Sequence, residues 1–264
     1  MPALFQRKPV QAGHPPNGSN TGFISPVHPW GRRALRRLLK AFAAVAAVLL
    51  LLMATTILVL RWVDPPTSAF MIRHWLLAES PASAEKRLYH EWVVAHQIPA
   101  EVKLAVIAAE DQRFPTHAGF DLVEMQNALE RWRNGGSLRG ASTLSQQTAK
   151  NLFLWPGSDW LRKALEAPLT LMIEWLWPKQ RILEVYLNIA QFGPDTYGVG
   201  AASWRFFDRP VSILSVPEAA LLAAVLPNPN VYRVDSPSPH VRRKAAWIER
   251  QMHNLGGPVY LDQL

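Results

Sequence analysis

Two carboxylates close an otherwise apolar run: Ala105-Val-Ile-Ala-Ala109 is followed directly by Glu110 and Asp111. If Ala100–Asp111 is a helix, both acids sit at its C-terminus. There the helix dipole opposes negative charge and the apolar surround opposes ionisation, so both effects raise a carboxyl pKa. A carboxylate tuned upward in this way suits general acid–base chemistry. Folding alone gives no reason to place Glu there. On these residues alone, a solvated helix end remains the plainer account.

A second charged group, Arg162, Lys163 and Glu166, lies within the helical pattern Leu161–Trp177. Its plain reading is an i,i+4 pair between Arg162 and Glu166, worth about 0.2–0.5 kcal/mol. Leu165, Leu169, Met172 and Leu176 follow at helical spacing and read as core. Pro168 inside this helix predicts a kink or local break. Two further patterns are set aside. Ser83-Ala-Glu-Lys86 matches a nucleophile signature but has no Lys-Thr-Gly or Ser-x-Asn partner. His90-Glu91 with His96 resembles a zinc motif, yet histidines six apart face different sides of a helix. The chain has no phosphate-binding Walker loop and no dinucleotide fingerprint.

These groups need a scaffold, and composition bounds it. The chain has 264 residues, 49% of them hydrophobic, and a formal charge of +8. Seven of the 28 basic residues fall in the first 40 positions, where there is no Asp or Glu; the remaining 21 face 20 acidic residues. The rest of the chain is thus nearly neutral, which does not support a nucleic-acid footprint. Ala41 to Leu60 carries no charge, and Thr55 and Thr56 are its only polar residues. As a helix it would be ~30 Å long, enough to span a bilayer's hydrocarbon core. A cleaved signal peptide has a shorter apolar core and a small-residue cleavage site, and this segment fits that poorly. Basic residues before the span predict a cytoplasmic N-terminus and a remainder outside. Cysteine is absent, so neither disulfide nor thiol chemistry is expected.

The expected layout is a disordered basic tail (1–40), a membrane anchor (41–62), a linker (63–84), one all-α domain (85–257) and a short C-terminal tail (258–264). Helices are expected at Ala84–His96, Ala100–Asp111, Asp121–Arg133, Ser142–Phe153, Leu161–Trp177, Lys179–Ala190, Val199–Phe207, Val216–Val225 and His240–Asn254. Asp121, Ser142 and Ser215 stand as N-caps. No alternating run is long enough to predict a sheet. Leu152-Phe-Leu-Trp155 and Trp160 form an apolar, Trp-rich stretch, which suits either core packing or a membrane interface.

Several segments carry a family resemblance. Glu110-Asp-Gln-Arg-Phe114-Pro-Thr-His117-Ala-Gly119-Phe-Asp121 resembles the first signature of the peptidoglycan glycosyltransferases, glycosyltransferase family 51. Gly140-Ala-Ser142-Thr143-Leu-Ser-Gln146-Gln147-Thr-Ala-Lys150-Asn151 is similar to the second, and Arg162-Lys163-Ala-Leu-Glu166-Ala to the third. Ile182-Leu-Glu184-Val-Tyr186-Leu-Asn188, Phe192-Gly193 with Tyr197-Gly198, and Pro217-Glu218-Ala-Ala-Leu-Leu-Ala-Ala continue the series. The segments occur in the family's order over roughly residues 85–255. The layout resembles the monofunctional members, because no transpeptidase domain follows.

The resemblance implies a mostly helical, lysozyme-like fold with a small jaw, here in the stretch after His117 up to about Arg139. It implies lipid II as substrate: a disaccharide-pentapeptide on undecaprenyl diphosphate. The sugar 4-hydroxyl of an incoming molecule attacks the anomeric carbon of the growing glycan strand and lipid diphosphate leaves, forming a β-1,4 bond with inversion. Glu110 is then the catalytic base and Glu166 the second key carboxylate. Ser142, Thr143, Gln146, Gln147, Lys150, Arg162 and Lys163 are cations and donors of the type that would neutralise the diphosphate. Asp111, Phe114, His117, Gly119 and Asn188 would hold the motifs in shape. No cofactor is required; a divalent cation (Mg or Mn) at the diphosphate stays open, and its ligands are unassigned. The implied partners are the bilayer and proteins of cell-wall synthesis or division. The implied location is the inner membrane, with the catalytic domain in the periplasm. Two positions depart from the family pattern: Ser158 and Asn127 stand where many relatives carry basic residues. A glycan-cleaving enzyme would share the fold and a catalytic Glu, but has no use for a diphosphate-directed Lys-Arg-Gln cluster.

Overall fold

The uncharged run is helical. Helix α1 covers Pro29–Val59 in the computed structural model, which describes residues 29–77, 88–136, 140–157 and 159–264. Among the described residues, Ala34–Val59 is the one stretch long and apolar enough to cross a bilayer, with a mean hydropathy of 2.7. Its leucines and valines are mostly exposed, as Leu50 and Leu51 illustrate, which a core helix would not allow. The chain divides into two units, one ending at Leu50 and one beginning at Leu51.

Within the second unit the last turns of α1 are tied down. Ile57 is fully buried. The Trp177 indole N–H donates to the Ile57 carbonyl at 2.7 Å, and Arg61 donates to the Leu176 carbonyl at 2.6 Å. Arg181 donates to the carbonyls of Leu60 and Val63 and to Asp64. The stretch expected as a linker contains a helix, α2 (Ala69–Leu77), opened by Ser68, whose hydroxyl accepts the Met71 N–H.

The expected helix Ala84–His96 does not form where it is described; its residues 84–87 lie outside the described residues, as does the Ser83–Lys86 pattern. Tyr89–His90 is instead a short strand, β1, and Ala95–Gln97 a single 3₁₀ turn. Side chains of a later helix take over the backbone groups that a helix would have paired internally. Asn188 accepts the Val93 N–H at 2.7 Å and donates to the Val93 carbonyl at 2.9 Å, while Glu184 accepts the Ala95 N–H at 2.8 Å. With its amide so used, Asn188 is fully buried.

The other expected helices are present: α3 (Ala100–Glu110), α4 (Leu122–Arg133), α5 (Leu144–Phe153), α6 (Trp160–Leu176), α7 (Lys179–Ile189), α8 (Val199–Phe207), α9 (Val216–Val225) and α10 (Pro239–Asn254). Asp121 and Ser215 cap as expected, but α5 is capped by Thr143 rather than Ser142. Helix α6 runs through Pro168 without a break. Leu169 lies in the core and Met172 and Leu176 are half-buried, whereas Leu165 is exposed. Between α7 and α8, β2 (Gln191–Gly193) and β3 (Thr196–Tyr197) pair antiparallel, and β1 joins β3 in parallel, giving the order β1-β3-β2. Strands of two or three residues are too short to show alternation in sequence. In the expected C-terminal tail, Gly257–Gln263 forms a 3₁₀ helix, with the Tyr260 hydroxyl donating to the Gln112 carbonyl at 2.6 Å.

Helix α3 is apolar nearly all round, and it is buried nearly all round. It packs on α9 and α10, while α5 packs on α6 and α7. Of the Trp-rich stretch, Leu152 and Leu154 are core, whereas Trp155 and Trp160 are exposed.

Candidate active site

Asp111 sets the frame of the site. It follows the last residue of α3 and its carboxylate accepts the Leu144 N–H at 2.9 Å, one of the unpaired donors at the start of α5. The same carboxylate lies 3.0 Å from His117 Nε2. His117 Nδ1 accepts the Gly119 N–H at 3.2 Å, which leaves Nε2 as the nitrogen that donates to Asp111. Gly119 in turn offers its carbonyl to the Thr143 hydroxyl at 2.6 Å. Gly119 has φ +90°, and a Cβ there would stand 3.0 Å from Glu174 and Thr170, so both backbone and space require glycine. Phe114 is fully buried beneath the Lys179 ammonium, 4.5 Å above its ring. Asp111, Phe114, His117 and Gly119 thus lock the end of α3 to the start of α5.

That lock delivers Glu110 to α5. Gln147, one turn into α5, donates from Nε2 to Glu110 Oε2 at 2.9 Å and accepts the Tyr186 hydroxyl of α7 at 3.0 Å. Lys244, on α10, places its ammonium 4.0 Å from Glu110 Oε1. Burial pushes the Glu110 pKa upward and the Asp111 charge adds to it, while Lys244, Gln147 and Lys150 hold part of the rise back. Glu110 keeps 14% side-chain exposure, and it reaches a cleft of about 470 Å³ lined also by Arg113, Glu124, Ser142 and Trp247. The carboxylate is therefore both raised in pKa and open to a ligand.

Lys150 lies one turn beyond Gln147 on α5 and is half-buried. Burial lowers its pKa, and it feels the charges of Glu166, Arg162, Glu110 and Lys163. In the α6 cluster Glu166 is buried; Arg162 donates to Oε2 at 2.6 Å and Lys163 to Oε1 at 2.5 Å. Arg162 is buried too, and its Nε has no hydrogen-bond partner among the described residues. Lys163 is half-exposed.

The remaining expected residues divide. Ser142 is exposed on the cleft wall. Thr143 and Gln146 are buried and form the capping box of α5: the Gln146 N–H donates to the Thr143 hydroxyl, and the Thr143 N–H to Gln146 Oε1. Glu166 does not line the Glu110 cleft. Asn127 donates to Glu124 on α4, and Ser158 lies outside the described residues. Among the described residues no three metal-ligating side chains converge, and each Glu166 oxygen accepts from a cation.

Two neighbours of Glu110 were not singled out in the sequence. Tyr186 belongs to the Ile182–Asn188 segment and reaches the site through Gln147. Lys244 had a readable signal: it falls three residues after Val241 and four before Ile248, both buried, so a cation stands on the core stripe of α10.

Comparison with known proteins agrees with this arrangement. The family model described as Transglycosylase matches residues 78–253. The chain is 47% identical over 234 residues to the biosynthetic peptidoglycan transglycosylase of Xylella fastidiosa (strain 9a5c), covering 89% of this chain and 93% of that one. It is 48% identical over 229 residues to the protein of that name from Pasteurella multocida (strain Pm70), covering 87% and 91%. A match of that extent, over the helices that carry Glu110, Lys150 and Glu166, shows that the chain belongs to the transglycosylase family.

Proposed function

We propose that Glu110 is the general base of a peptidoglycan glycosyltransferase that polymerises lipid II. The observation that carries the assignment is the half-buried Glu110 carboxylate at the end of α3, raised in pKa, held by Gln147 and opening on a cleft. The acceptor's 4-hydroxyl gives its proton to Glu110 as its oxygen bonds to the anomeric carbon of the growing strand. The bond from that carbon to the diphosphate oxygen breaks, and undecaprenyl diphosphate leaves with the electron pair. One displacement inverts the α-linked donor to a β-1,4 product.

The leaving group is already an anion, so neutralising it matters more than protonating it. Lys150 supports this reading, since it sits among Glu110, Arg162, Lys163 and Glu166 as a half-buried cation. Half-exposed Lys163 and buried Arg162 add positive charge, and Glu166 orients both through its two oxygens. Ser142 adds a hydroxyl at the cleft wall. Thr143 and Gln146 serve the diphosphate indirectly, by fixing the first turn of α5.

The N-terminus lies in the cytoplasm and the domain that follows the apolar span in the periplasm. This rests on the Arg and Lys residues that precede the apolar span. The growing strand and the bilayer are its working partners, together with other proteins of wall synthesis or division. Purified full-length protein incubated with labelled lipid II tests the proposal. A ladder of glycan polymer is expected; unchanged lipid II, or digestion of added glycan strands, would refute it.

A further inference from the structure

Helix α2 lies wholly before the residues 78–253 that the family model matches, yet one of its side chains reaches the proposed diphosphate site. We propose that Phe70 is a positioning residue of that site: its ring holds the Lys150 ammonium where the diphosphate meets it. The proposal rests on the reading of Lys150 as a diphosphate-binding cation.

Lys150 projects half-buried from α5, and its Nζ lies over the Phe70 ring, 5.8 Å from the centroid. Among the described residues no carboxylate holds it at ion-pair distance: Glu166 pairs with Arg162 and Lys163, and Glu110 with Lys244. These acids act on Lys150 from farther off, and burial still lowers its pKa. An ammonium so placed is drawn to the electron-rich face of an aromatic ring. The ring favours the charged form against desolvation without accepting a conventional hydrogen bond as a carboxylate would. The ammonium's N–H groups therefore stay available to an anion.

Phe70 can do this because α2 is pinned. Pro65-Pro66 breaks the run from α1, buried Ser68 opens the helix, and Met71, beside Phe70, lies in the core. His74, one turn on, packs edge-on against Tyr197 of β3. Ile72, Trp75 and Leu76 occupy the exposed side, so Phe70, Met71 and His74 face inward, where α2 packs on α5. Just upstream, Arg181 grips the Leu60 and Val63 carbonyls and Asp64. The residues between anchor and domain thus form a wall of the site rather than a tether. The other charged groups that bear on Lys150 are Glu110 at the end of α3 and Arg162, Lys163 and Glu166 on α6, while α7 reaches α5 through Tyr186 at Gln147. Any apolar side chain would fill the space of Phe70, but only an aromatic one would hold the charge.

Polymerisation kinetics of the full chain in detergent, with lipid II as substrate, test it. Phe70→Leu keeps apolar bulk but removes the ring, and should lower kcat/KM about fivefold, with a melting temperature close to the parent's. Phe70→Tyr should restore most of the activity. In a Lys150→Met background Phe70→Leu should cost nothing further, because the ring has no charge left to hold. Competitive acetylation of the lysines, followed across pH by mass spectrometry, reads Lys150 without reference to catalysis. Its titration midpoint should fall to lower pH in Phe70→Leu, since burial is then less opposed. If Phe70→Leu does not fold, trifluorophenylalanine at position 70, similar in shape but with a depleted ring face, serves instead and should move the midpoint the same way. A folded variant with parental kcat/KM or an unmoved midpoint, or an undiminished loss in the Lys150→Met background, would overturn the proposal. Lys150→Met with parental activity would overturn the reading of Lys150 on which the proposal rests, whatever the midpoint does.

Discussion

Gln147 donates to Glu110 at 2.9 Å, and the other end of the same amide accepts the Tyr186 hydroxyl at 3.0 Å. Burial and the Glu110 charge push the Tyr186 pKa well above its ordinary value, so the phenol remains a donor. An amide can turn end for end, and the Tyr186 proton is what keeps the Gln147 NH₂ directed at the carboxylate. Tyr186→Phe should therefore lower kcat by about tenfold and leave KM nearly unchanged. Its stability loss should be about 1 kcal/mol, the usual net value of one hydrogen bond. Since the Gln147 hydrogen bond lowers the Glu110 pKa, loosening it should also move the acidic limb of the rate profile to higher pH. A pH–rate series on the variant checks this, and an unmoved limb would count against the relay.

The raised Glu110 pKa has a consequence for stability with a definite sign. Between its ordinary value of 4.5 and its higher folded value, the native state holds a proton that the unfolded chain releases. The contribution of Glu110 to stability is then complete below pH 4.5 and is lost as pH rises through the folded pKa. Glu110→Gln does not titrate. Its melting temperature should match wild type near pH 4.5 and exceed it at pH 7–8. Thermal scans of both proteins across that range measure the difference, and a mutant less stable at neutral pH would contradict the direction.

Lys150 and Arg162 are both cations facing the proposed diphosphate, yet their substitutions should behave differently. Lys150→Ala removes a half-buried charge whose burial already lowers its pKa, so turnover should fall by about 2–4 kcal/mol in the transition state with little loss of stability. Arg162→Ala instead strips one of two cations from the buried Glu166 and should cost activity and melting temperature together. Kinetics paired with thermal melts separate the two, and identical behaviour would contradict the assigned geometry.

Much of this site was legible because it rides on helices with strong local signals. The apolar run into Glu110, the Asp121 cap and the Arg162–Glu166 spacing all appear in the structure as short-range patterns imply. What was not legible depends on distant side chains. Residues 88–96 read as helix because their own pattern is helical, but Asn188 and Glu184 take their backbone groups from almost a hundred positions away. Thr143 rather than Ser142 caps α5 because Gln146 stands three residues after it, a spacing visible in the sequence. Lys244 became a neighbour of Glu110 only through the packing of α10 on α3.

The end of the anchor should behave as part of the catalytic unit. A protein beginning at Val63 loses Ile57 from the core, leaves Trp177 without its carbonyl partner and strips Arg181 of the Leu60 carbonyl. Relative to one beginning at Leu51, it should lose about 3 kcal/mol from buried apolar surface and hydrogen bonds. That corresponds to a drop of about 6–12 °C for a unit of this size. Equal melting temperatures for the two versions would show that residues 51–62 contribute no stability.

The most direct test is Glu110→Gln assayed for polymerisation, lipid II binding and melting temperature in one preparation. Gln keeps the size and hydrogen-bonding capacity of Glu but cannot accept the proton. Losing a general base removes a factor of about 10²–10⁴ from the chemical step. The account predicts a folded protein, at least as stable as wild type at neutral pH, that binds lipid II and makes almost no polymer. A variant that polymerises at more than about a tenth of the wild-type rate, or one inactive only because it has lost several degrees of stability, would contradict Glu110 as the base.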